Sequence, residues 1–149
     1  MAKLDSIRFL AGRWAGWVSQ SPADWMRFMD TASRMYRYSF PDQLLIYAQR
    51  PNATACASLE TWNTRLNRWV NRGAKGIALI DDNQQPAKLR YVFDVADTHA
   101  RYGDQLPYIW RVEERHIPPL LAHLAYTYSL PDASSLESML SQIANQVAE

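Results

Sequence analysis

The sequence predicts an α+β protein, with N-terminal helices packed on a small antiparallel β-sheet and a C-terminal helical extension. Three observations lead to this. Apolar residues recur at helical spacing through the first third of the chain. A short apolar run, Ile77 to Ile80, is followed by a polar stretch, Asp82 to Pro86, and then by the alternating segment Lys88 to Val95. That order is the signature of a hairpin. Helical spacing then resumes after Pro118.

Each element has its own warrant. Leu4, Ile7, Leu10, Ala11, Trp14 and Trp17 share one face of a first helix over 5–18. Ser21 offers an N-cap to a second helix, with Pro22 in its first turn and Asp24 where the helix dipole favours an anion. Trp25, Phe28, Met29, Ala32 and Tyr36 form its apolar stripe, and Pro41 sets the limit at which it must stop. Asp42 to Gln49 is a short third helix closed by Pro51, and Ser58 or Thr61 caps a fourth over 59–67. Arg68 to Val70 leads to a turn at Asn71-Arg72-Gly73, and Gly76 opens the first core strand. Alternation puts Leu89, Tyr91, Phe93 and Val95 on one strand face. The expected core is Trp25, Phe28, Leu45, Ile46, Ile77, Leu79 and Phe93, buried together. Tyr108 to Val112 reads as an edge strand. Pro118 and Pro119 start a helix through Tyr128, and Asp132 or Ser134 starts a last one to about Val147.

The chain therefore divides into residues 1–115 and a helical extension over 116–149, set apart by its acidic balance and the Pro131-Asp132 break. It ends at a helix without a capping glycine, which predicts that the extension leads into a larger protein.

Composition narrows the function. The 149 residues are 48% hydrophobic and 21% charged, which excludes a wholly disordered or low-complexity chain. The longest apolar runs fall far short of the roughly 20 residues of a membrane span, and the N-terminus lacks a signal-peptide core. Both point to a cytoplasmic protein with no membrane partner. One cysteine, Cys56, excludes an internal disulfide and a Cys-cluster zinc site.

The net charge of +1 conceals a balance of +6 over residues 1–75 and −5 over 76–149. Thirteen arginines stand against three lysines. Arginine forks onto phosphate oxygens and stacks on ring planes, and lysine does neither well. The competing reading is a solvated helix face above a Trp-rich core.

Catalytic patterns do not emerge. His99, His116 and His123 lack metal-ligand spacing. Gly73-Ala74-Lys75-Gly76 is not a phosphate loop. Cys56 has no local histidine, and Glu113-Glu114 are neighbours that do not converge across a cleft. The expectation is no catalytic residue, no metal and no cofactor in this segment.

The positive pattern is a basic, aromatic one. Arg34, Arg37, Arg50, Arg65, Arg68, Arg72 and Lys75 flank the turns between the helices and the first strands. Tyr36, Tyr38, Tyr47, Trp62 and Trp69 are interleaved with them, and Gln43, Gln49, Asn63, Asn67 and Asn71 add amides. Cationic grooves with stacking rings are how sequence-tolerant single-strand binders work. Trp69 looks least like core, because Asn67-Arg68 and Asn71-Arg72 surround it. The candidate nucleic-acid-binding residues are Arg34, Arg37, Tyr38, Gln43, Gln49, Arg50, Arg65, Arg68, Trp69, Arg72 and Lys75.

The stretches Ala32 to Phe40, Gln43 to Pro51, Thr54-Ala55, Trp62-Asn63, Arg72 to Leu79 and Tyr91 to Thr98 together resemble the N-terminal domain of ArdC-type antirestriction proteins. The form most similar is the one that opens large proteins of conjugative elements and phages. The resemblance implies a domain that binds single-stranded DNA during transfer of a mobile element. The zinc peptidase domain of that family does not carry over, since there is no H-E-x-x-H. One turn departs from the family pattern Tyr-x-Gly-x-Asn: here Tyr38-Ser39-Phe40-Pro41-Asp42 replaces the glycine by Phe40 and the asparagine by Asp42. The expected function is a non-catalytic, single-stranded-DNA-binding module of a mobile-element protein. The alternative is a scaffolding domain that docks a downstream helicase or methylase domain of the same polypeptide.

Overall fold

The computed structural model describes residues 3–103 and 105–149. They form a mixed α+β structure that separates into two compact units, Met1–Pro107 and Tyr108–Glu149. The sequence division at residue 115 lies a few residues beyond this boundary.

In the first unit, α1 (Leu4–Val18), α2 (Pro22–Arg34) and α3 (Phe40–Gln49) precede β1 (Cys56–Ala57) and α4 (Leu59–Thr64). Serines start three of these helices. Ser21, Ser39 and Ser58 each accept a hydrogen bond from the backbone N–H three residues on, and an acidic residue sits in each first turn. α3 starts at Phe40, two residues before its expected start, because Ser39 provides the cap and Pro41 is tolerated in the first turn. α4 ends at Thr64, three residues early, and Asn67 follows with a left-handed φ of 51°.

The strands form two antiparallel sheets. β1, β4 (Lys88–Asp94) and β3 (Ile77–Asp81) form one, with β4 in the middle and Ile77 opposite Val92. β2 (Arg68–Val70) pairs with β5 (Thr98–Ala100) in the other, with Trp69 opposite His99. The short β1 had no sequence signal of its own. Its pairing leans on Asp94, a buried carboxylate that accepts the N–H groups of Thr54 (2.7 Å), Ala55 (3.0 Å) and Ala96 (3.2 Å).

The core has two parts. Ile7, Met35, Leu45, Ile46, Ala53, Ile77, Leu79 and Val92 join α1 and α3 to the three-stranded sheet. Val18, Phe28, Ala32, Leu44 and Tyr47 pack α1, α2 and α3 together. The seven expected core residues are therefore not one cluster. Trp25 is 40% exposed, because α2 turns Phe28, Thr31 and Ala32 inward, and the Thr31 hydroxyl donates to the Pro51 carbonyl. Val92, not Phe93, fills the core from β4, and Phe93 is half-buried on the opposite face. Alternation gives the two faces of β4 but not which of them enters the core, and β3 offers no guide, since Ile77, Ala78 and Leu79 are buried on both of its faces.

The second unit holds α5 (Ile117–Tyr128) and α6 (Leu136–Ala148). Pro118 and Pro119 lie in the first turn of α5, Ser129 ends it at φ 52°, and Ser135 caps α6. Ala125 and Met139 are buried in this unit. The strand expected over 108–112 is absent. Its apolar residues do not alternate with polar ones, and no strand pairs with them. No helix among the described residues is long and apolar enough to cross a membrane.

Candidate nucleic-acid interface

Four arginines from separate segments line one cleft of about 520 Å³. Arg34 ends α2, Arg37 sits in the turn to α3, Arg65 follows α4 and Arg90 comes from β4. The Tyr38 hydroxyl donates to the Cys56 carbonyl at 2.8 Å and ties the turn to β1 across the cleft. Three of the sequence-predicted arginines and Tyr38 thus meet in one place. Arg90 was not among the candidates. Its signal was its alternation with Leu89 and Tyr91, which sets it on the helix-facing side with Val92.

The four guanidinium groups are not equivalent. Arg34 donates to the Ala53 carbonyl (3.0 Å) and to Asp30 (2.9 Å), and Arg90 pairs with Asp42 at the start of α3. Arg37 and Arg65 are exposed and have no carboxylate partner among the described residues. Arg37 lies 5.9 Å from the Tyr36 ring centroid. Burial pushes the Tyr38 phenol up to about 12, with the nearby Cys56 adding to the effect. Burial, followed by the charge of Asp94, pushes the Cys56 thiol up to about 12 as well. Burial also raises the Asp42 carboxyl, against the pull of Arg90.

Four other candidates are internal braces. Gln43 Nε2 donates to the Met35 carbonyl (3.1 Å), joining α3 to the end of α2. Gln49 donates to the carbonyls of Leu45 and Ala78, and its Oε1 accepts the Ala78 N–H, each at 2.9 Å. Arg50 forms a two-pronged pair with Asp97 at 2.6 and 3.1 Å. Arg68 is 6% exposed; its guanidinium donates to Thr98 Oγ1 (2.7 Å), the Thr98 carbonyl (3.1 Å) and the Gln105 carbonyl (2.8 Å). Among the rings, Trp62 and Tyr47 are core, and Trp62 Nε1 donates to the Phe93 carbonyl. These residues hold the frame on which a site would rest.

The remaining three, Trp69, Arg72 and Lys75, belong to the β2–β5 strand pair and the turn that follows β2. Trp69 is 39% exposed, with the Arg101 guanidinium 4.5 Å from its ring centroid. Arg101 also lies 5.9 Å from the exposed Tyr102 ring. Strand pairing explains the stack: Trp69 is opposite His99, and Arg101 follows two residues later on the same side. That cross-strand offset, rather than any local motif, was the signal for Arg101. Gly73 makes the turn at φ 83°, and its neighbours Arg72 and Lys75 are exposed with no ion pair among the described residues. Lys75 borders a hollow of about 280 Å³ beside Arg50 and Gln49.

The chain matches no protein-family model, no curated protein and no solved structure with which it was compared.

Proposed function

We propose that this chain is a non-catalytic nucleic-acid-binding module that prefers single-stranded DNA, in a mobile-element protein of the kind the ArdC resemblance implies. One observation carries the reading: Arg34, Arg37 and Arg65, from separate segments, share one cleft with Arg90. Asp30 and Asp42 offset Arg34 and Arg90, so the attraction for a polyanion comes from Arg37 and Arg65, which have no carboxylate partner among the described residues. Trp69 beneath Arg101 supplies a ring of the kind on which unpaired bases stack, each worth ~1–3 kcal/mol.

Fluorescence anisotropy with labelled oligo(dT), across a salt series, tests the proposal. Binding should weaken with a log–log slope of about −0.7 per phosphate neutralised and depend little on sequence. Absence of binding at low salt, or indifference to salt, overturns it.

A second reading has its own observation. Trp25, Met26, Met29 and Phe40 leave large apolar surface exposed along α2 and the start of α3, with Trp25 and Phe40 rings 6.5 Å apart. Such a surface suits docking of a downstream helicase or methylase domain. Loss of a protein partner from a Met26→Ser plus Met29→Ser variant that still binds oligo(dT) favours that reading.

A further inference from the structure

Resting on the nucleic-acid reading above, we infer that the four-arginine cleft is a pocket for a single nucleotide. It takes the base of an unpaired nucleotide against its apolar floor and the attached phosphate between Arg37 and Arg65.

Size is the first argument. A volume of about 520 Å³ lies within the ~300–1,000 Å³ range of sites that enclose one drug-sized molecule. It is too small for the ~4–16 nucleotides that an open single-strand groove accommodates. The cleft is therefore a station on the strand's path rather than the path.

The lining is the second argument. Met35 and Val92 close the floor from the core side, with Ala55, Ala57 and Leu66 beside them. A purely phosphate-binding site has no use for such a floor, whereas a base ring does. Arg34, Arg37, Arg65 and Arg90 line the same cleft as this floor.

Division of labour among the arginines is the third. Arg34 is held by Asp30 and the Ala53 carbonyl and Arg90 by Asp42, so their charges are largely neutralised and they serve as fixed walls of the cleft. Arg37 and Arg65 keep their guanidinium forks available among the described residues, and such a fork matches two phosphate oxygens at once. The Tyr38 phenol and the Cys56 thiol, which line the same cleft, stay protonated above neutral pH, so neither adds negative charge there.

Calorimetric titration of the intact chain with 5′-dTMP, thymidine and inorganic phosphate tests the inference, alongside oligo(dT) anisotropy at the same salt. We expect 5′-dTMP to bind one to one, at least tenfold tighter than thymidine or phosphate. Arg37→Gln and Arg65→Gln should each weaken 5′-dTMP tenfold or more, and Arg37→Lys, which keeps charge but loses the fork, should recover only part of the loss. Arg13→Gln, on the exposed side of α1, should change nothing, and all variants should keep the parent melting temperature. Methyl NMR should show the Met35 signal moving as 5′-dTMP is added. If oligo(dT) binds but 5′-dTMP does not, or binds no better than phosphate, the one-nucleotide pocket falls and the broader reading stands. If oligo(dT) also fails to bind, both fall.

Discussion

Replacing Arg68 by alanine separates a brace from a binding residue. Its guanidinium is buried and makes three hydrogen bonds, to Thr98 Oγ1, the Thr98 carbonyl and the Gln105 carbonyl. A hydrogen bond from a charged group contributes ~1.5–3 kcal/mol, and each partner left unsatisfied costs ~1–3 kcal/mol. Thr98 Oγ1 retains its own bond to the Val95 carbonyl, so it is not orphaned. Two abandoned carbonyls and the lost packing of the stem bring the expected destabilisation to about 3–5 kcal/mol. For a domain of this size that lowers the melting temperature by roughly 10–20 °C. Thermal unfolding followed by circular dichroism measures the shift, and oligo(dT) anisotropy well below the variant's midpoint measures binding. The variant should bind as the parent does. An Arg68→Ala protein that melts within ~2 °C of the parent but no longer binds oligo(dT) would refute the reasoning, and would return Arg68 to the ligand.

Other residues give contrasting outcomes. Trp69→Ala should leave the melting temperature nearly unchanged, weaken oligo(dT) by ~1–3 kcal/mol and leave the salt slope alone, whereas Arg72→Ala plus Lys75→Ala should flatten that slope by roughly one to two units. Val92→Ala should cost about 2 kcal/mol in urea unfolding, because the side chain is buried between Ile77 and the helices. Gly73→Ala should cost about 1–2 kcal/mol through its left-handed φ alone, since open space surrounds the new methyl group. The native state holds the Cys56 and Tyr38 protons more tightly than the unfolded chain does. Their stabilisation is therefore complete below about pH 9 and is lost as the pH rises toward 12. Urea midpoints between pH 8 and 11 should fall accordingly, and native Cys56 should alkylate far more slowly at pH 9 than the unfolded chain.

The parts of the fold that follow local rules were legible in the sequence. Ser21 with Pro22, the alternation over 88–95 and the proline pair at 118–119 each carry their signal within a few residues, and α2, β4 and α5 form where they indicate. What escaped depends on distant partners. β1 exists because Asp94 gathers the backbone around Thr54 and Ala55, some forty positions away. The face of β4 that enters the core depends on the helices above it, so Phe93 and Val92 exchange their expected places. The candidate site shows the same limit. Composition marks arginines and amides as available donors but cannot see that Asp97, Thr98 and Ala78 engage Arg50, Arg68 and Gln49. Nor can it see that Arg90 comes to lie with Arg37 and Arg65.

Gln49 matters beyond the joint it makes with β3. That strand is an edge of the three-stranded sheet, and at Ala78 its outward N–H and carbonyl are both engaged by one side-chain amide. The amide imitates a peptide unit of a neighbouring strand. An extended segment from another molecule would have to displace it before pairing there, so the sheet is sealed at the point where unprotected edges recruit one another. Gln49→Glu would set a carboxylate against the Ala78 carbonyl and reopen that edge, with self-association rather than unfolding as the first sign of damage.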